Sequence, residues 1–151
     1  MNQGETYTTR YPWHHEHDHT LVVDCSDPRL PEARHDFLNK CCGISRYDPI
    51  IVPGGPVVAT LSNAFCYVDH ERIRMLHTLH TFQRVIGIVH FECGYYKHHH
   101  RGATHLDLYD RQVTDSYHFR DTLVTLTPGA KVEVYHVGPN ADDLIEYTRI
   151  L

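Results

Sequence analysis

Four short apolar runs punctuate the chain, and the stretches between them are either helical in period or polar. Thr20-Leu21-Val22-Val23-Asp24 is rich in β-branched residues and leads into Cys25-Ser26-Asp27-Pro28-Arg29, which predicts a buried strand running into a turn. Pro31 suits the first turn of a helix that should run to about Cys42 and stop at Gly43. Pro49 to Val52 reads as a second strand, closed by Pro53-Gly54-Gly55-Pro56, which can continue neither helix nor ladder. Ser62 or Asn63 is placed to cap a helix to about Phe82, with Val68, Ile73, Leu76 and Leu79 on its apolar face. Arg84 to Phe91 is almost unbroken in apolar residues, the pattern of a strand covered on both faces. A His-rich loop, a helix from about Arg111 to Leu126 and a strand from Lys131 to Val137 follow. The closing segment, Asp142 to Leu151, reads as a short helix or a frayed tail.

Strands separated by helical segments of more than a dozen residues need crossover connections. The predicted fold class is therefore α/β, with a mostly parallel central sheet flanked by helices. No repeat, linker or composition break divides the chain, so residues 1–151 read as one domain with a polar N-terminal arm over 1–19.

Composition narrows the partners. A 151-residue chain that is 41% apolar and 22% charged can bury a core. Fourteen Lys and Arg against nineteen Asp and Glu leave a formal charge of -5, the opposite of the basic footprint that neutralises phosphates, so no nucleic-acid partner is expected. No run approaches the roughly 20 apolar residues of a bilayer span, and the first residues lack the features of a signal peptide. A cytoplasmic protein without a membrane partner is expected. Five cysteines, an odd number, among fifteen histidines point to metal rather than to a disulfide scaffold.

Two of the predicted strands end in soft ligands. The first delivers Cys25, and the third delivers His90 and Cys93 in the spacing His-x-x-Cys. The carboxyl ends of neighbouring strands in an open α/β sheet converge on one crevice, so the three can meet. Two thiolates and an imidazole suit Zn2+, and three protein ligands leave a fourth position open, which distinguishes a catalytic from a closed structural site. Asp27 and Arg29 follow Cys25 at two-residue steps, and an extended turn presents all three to the same side.

Cys25-Ser26-Asp27-Pro28-Arg29, followed by His90-Phe91-Glu92-Cys93-Gly94, resembles the paired motif of the β-class carbonic anhydrases. The resemblance covers roughly Leu21 to Tyr95, with Asp48-Pro49-Ile50-Ile51-Val52 standing at the family's second strand. It implies that Cys25, His90 and Cys93 bind zinc and that Asp27 and Arg29 form the catalytic dyad beside it. The implied protein is a lyase for reversible carbon dioxide hydration, with carbon dioxide and bicarbonate as small-molecule substrates and a homodimer or higher homo-oligomer as assembly. Three features depart from the family: Pro53-Gly54-Gly55-Pro56 replaces an Arg-Asn-Ala-Gly loop, the N-terminal arm is short and not helical in pattern, and the C-terminal third carries no signature. Two alternatives therefore stand beside the anhydrase: a zinc hydrolase of carbon disulfide or carbonyl sulfide, and a catalytically silent zinc-stabilised binding or assembly protein.

The remaining motifs have plainer readings. His14 to His19 is either a solvated polar arm or a second metal site, with His15, His17 and His19 on one side of an extended segment. His98, His99 and His100 either carry protons for Cys93's site or form an exposed loop. Cys41, Cys42 and Cys66 read as core or partly buried thiols.

Overall fold

The structure is a computed structural model that describes residues 6–60 and 64–151, the side chains of 64–68 excepted. The proposed Ser62 or Asn63 cap and the side chains of Cys66 and Val68 therefore lie outside the described residues. In chain order the elements are β1 (Thr20–Cys25), α1 (Pro31–Asp36), β2 (Asp48–Val52), α2 (Ala64–His80), β3 (Arg84–His90), α3 (Gly94–His99), α4 (His105–Leu126), β4 (Lys131–Pro139) and β5 (Ile145–Arg149). The five strands form one sheet in the order β2-β1-β3-β4-β5, parallel through the first four and antiparallel between β4 and β5.

Alternation along β1 and β3 sorts their side chains onto two apolar layers. Leu21, Val23, Val85 and Val89 pack with Ile73 of α2 and with Phe119, Leu123 and Leu126 of α4. Val22, Ile86 and Ile88 pack against Leu30, Leu38 and Ile44, around α1, on the other face. Both strands are buried over nearly their whole length, which is why they read as continuous apolar runs. Gly87 interrupts β3 because a Cβ there would stand 2.8 Å from the Phe119 ring. Truncating a ring as buried as Phe119 costs about 3–5 kcal/mol.

Several expectations are corrected. The segment read as a short helix or tail is β5, an edge strand whose partly buried Tyr147 stacks on Phe37 at 4.1 Å. The His-rich loop instead holds α3. Helix α4 starts before Arg111, at a capping box in which Thr104 accepts from the Asp107 amide and the Asp107 carboxylate accepts from the Thr104 amide. After α1 the chain widens to a π-turn over Phe37–Cys41, which leaves Cys41 exposed and Cys42 half-buried. Leu79 is exposed rather than on the buried face of α2.

Near the N-terminal end of the sheet, Glu133 of β4 is 2% exposed and meets three cations: Arg84, Lys131 at 2.8 Å and Arg149 at 3.1 Å. Burial opposes its charge, but the hydrogen bonds from Lys131 and Arg84 outweigh that and hold its pKa below the ordinary value.

Candidate metal centre

The strand order reverses between β1 and β3, since the chain leaves β1 for β2 on one side and returns to β3 on the other. Ligands bind at such a switch point, beyond the carboxyl ends of the strands. Cys25 is the last residue of β1 and His90 the last of β3. Glu92, in the left-handed region at φ 58°, reverses the chain so that Cys93 comes back beside His90.

Among the described residues one group of His, Cys or acidic side chains converges as metal ligands would: Cys25, His90 and Cys93, all buried, with their ligand atoms within 4.8 Å of one another. The two sulfurs stand 3.8 Å apart. Two sulfurs on one tetrahedral zinc, each at roughly 2.3 Å, would be separated by about 3.8 Å. His90 Nδ1 lies 2.9 Å from the Phe91 carbonyl, an oxygen that accepts and so puts the proton on Nδ1 and the lone pair on Nε2. That Nε2 is buried and has no hydrogen-bond partner. The donor set and this orphaned nitrogen fit zinc.

The thiols are prepared unequally. The S–H···S contact with Cys25, aided by the amides of Tyr95 and Tyr96 at the start of α3, draws Cys93 down to about 6. The same contact and burial push Cys25 up, although the Gly54 amide donates to its sulfur at 3.4 Å. The Pro53–Pro56 loop thus reaches the centre through a backbone N–H. Gly55, at φ 56°, fits between the strands where a Cβ would come 2.9 Å from the Cys25 nitrogen and 3.0 Å from the Ile88 oxygen.

Asp27 and Arg29 are brought to the same place. Arg29 donates to Asp27 through Nε at 2.9 Å, its terminal NH2 group at 2.8 Å and its backbone amide at 2.9 Å. This fork holds Asp27 far down the carboxylate range, at about 2. Asp27 Oδ2 stands 3.9 Å from His90 Nε2, so the carboxylate faces the ligands. A cleft of about 260 Å³ opens beside Arg29 and His90, walled by Leu30, Phe91, Val137 and Ile145.

His15, His17, His99 and His100 are not among these side chains. His17 packs between His19 and His80, at ring separations of 4.4 and 4.6 Å, and His15 is exposed. His99 and His100 line a different pocket, with Arg111, Asp115 and His118.

Two supporting residues carry no motif in the sequence. Gln112 of α4 donates to the His90 carbonyl at 2.9 Å, and Asp24, fully buried, accepts the Cys25 amide at 2.6 Å and pairs with Arg34 at 2.8 Å. The only local signal was a polar residue inside an apolar strand or on a helix face.

No family model and no curated protein matches the chain. Solved structures do. The β-carbonic anhydrase isoform I of the protozoan Trichomonas vaginalis is 15% identical, with 95% of this chain and 86% of that one covered and a TM-score of 0.54. A carbonic anhydrase from Streptococcus mutans is 9% identical over 85% of this chain and 80% of that one, with a TM-score of 0.53. The chain shares their fold.

Proposed function

We propose that this chain is a zinc-dependent carbonic anhydrase-like lyase that reversibly hydrates carbon dioxide to bicarbonate. The observation that carries the reading is a three-ligand group, Cys25, His90 and Cys93, faced by a carboxylate that its own arginine holds in place. Zinc bound there would supply Lewis acidity toward water and leave one coordination position for it. Asp27, ionised down to about pH 2, is the acceptor that orients the attacking water. Arg29 occupies both Asp27 oxygens and so keeps the carboxylate from turning onto the metal. The apolar walls of the adjoining cleft suit a small linear substrate without charge.

Stopped-flow hydration of carbon dioxide by zinc-loaded protein tests this. Activity is expected to vanish on chelation and return with zinc; no hydration at any pH would overturn the reading. The cleft's apolar lining also favours a second one, hydrolysis of carbonyl sulfide or carbon disulfide, which release of hydrogen sulfide would reveal. The proposed assembly is a homodimer or higher homo-oligomer, supported by Tyr7, Tyr11 and Trp13, which stand exposed on the arm where a second copy would cover them. Light scattering that found an active monomer would remove it. No helix among the described residues is long and apolar enough to cross a membrane. The free thiols fit the reducing cytoplasm as its setting.

A further inference from the structure

We propose that Asp24 is a positioning residue for the metal centre, its carboxylate fixing the Cys25 amide at the point where the pairing of β1 with β3 ends. The inference rests on the metal-centre reading above and adds a residue to it. The register between the two strands runs from Thr20 and Arg84 to Asp24 and Ile88, and stops one residue short of the ligand. Gly55 fills the gap beyond, against the Cys25 nitrogen and the Ile88 oxygen. At this point the Cys25 amide donates to Asp24 Oδ1 at 2.6 Å. The other oxygen, Oδ2, accepts from Arg34 of α1 at 2.8 Å, which fixes the carboxylate in turn. The backbone that carries the Cys25 sulfur is thereby held by a chain of two hydrogen bonds anchored on a helix.

Stability alone is weak grounds for keeping this pair buried. Asp24 sits with no exposed surface in a central strand whose neighbours, Val22 and Val23, are apolar. Replacing a buried ion pair by apolar residues of similar volume is often neutral or stabilising. The surroundings are also incompletely paired, because Arg34 Nε and the Tyr147 hydroxyl are buried without partners. A polar arrangement that leaves such atoms unpaired fits a role in orienting the ligand, as hydrogen bonds behind metal ligands commonly do.

The test compares two uncharged double variants that differ only in the acceptor offered to the Cys25 amide. Asp24→Val with Arg34→Met removes it; Asp24→Asn with Arg34→Met keeps a side-chain oxygen at the same place. Zinc-loaded full-length protein is mixed with excess chelator and release is timed, with the absorption bands of the cobalt-substituted form as a second readout. The valine pair is expected to release zinc at least about 10-fold faster than the unsubstituted protein and to shift the cobalt bands, the scale usual for such outer groups. The asparagine pair is expected to stay within about threefold, with its bands unmoved. Equal release from the two pairs would overturn the inference. So would fast release or shifted bands in the asparagine pair, a result that stands even if the valine pair does not fold. An unsubstituted chain that takes up no zinc would instead remove the metal-centre reading, and Asp24's role with it.

Discussion

The two ends of the sheet bury polar groups to the same depth and finish them differently. His90, at the carboxyl end of β3, and Glu133, toward the amino end of β4, are each 2% exposed. Glu133 is saturated by Arg84, Lys131 and Arg149. His90 Nε2 has no hydrogen-bond partner, and beside it two thiols stand 3.8 Å apart. Removing one member of a fully partnered buried charge cluster strands the others and destabilises the fold, whereas a buried donor set left open is one that a ligand can complete. The difference lies in saturation, not depth.

Substitutions at the two ends should therefore fail in different ways. The largest effect is expected from Cys25→Ser: zinc content should fall from about one per chain toward zero, and the thermal midpoint with it, because metal binding to a site absent in the unfolded chain is folding free energy, on the order of 10 kcal/mol in small zinc domains. Elemental analysis and calorimetry check this. Asp27→Asn should keep the metal but lower hydration by about 100-fold or more, equivalent to roughly 2.7 kcal/mol of barrier. If its rate equals that of the unsubstituted protein, the dyad is a turn-fixing ion pair and the open end has lost half its distinction.

Glu133→Gln should do the reverse. It should cost about 2 kcal/mol in urea unfolding, since the partly buried Arg84 and the more exposed Lys131 and Arg149 lose their common acceptor, and leave zinc content and turnover per zinc unchanged. A loss of zinc in this variant would merge the two ends into one unit. The smallest expected effect is in acid. Glu133's folded pKa is lowered, so its contribution is complete above the ordinary glutamate value near 4.3 and is lost as pH falls through the lower folded value. Urea midpoints measured across that window should fall less steeply for Glu133→Gln than for the unsubstituted chain.

The same contrast explains what could be read in advance. The convergence of Cys25, His90 and Cys93 is legible because thiols and an imidazole at the ends of two buried strands stand out against an apolar background. The nearness of Asp27 and Arg29 to these side chains is legible through their spacing from Cys25. Asp24 is not, since an aspartate at a strand end reads as the start of a turn; its partner, Arg34, is brought to it by α1 packing on that face of the sheet. Glu133 and Arg84 are 49 positions apart, and only the β3–β4 pairing joins them. Strand β5 is not legible, because an edge strand with one partly buried residue carries almost no period-two signal. The start of α4 was available locally in Thr104 and Asp107, a capping signal obscured by the surrounding histidines.

Gly55 carries no reactive group, yet the crevice closes around its missing side chain. In a survey of every single substitution, scored by survival of function, this position should tolerate little, alanine included, since even a Cβ there would come 2.9 Å from the Cys25 nitrogen at a φ of 56°. A map of essential positions drawn from such data would place a glycine beside Cys25 and His90, because a methyl group there would press on the backbone of β1 and β3 where those two residues sit.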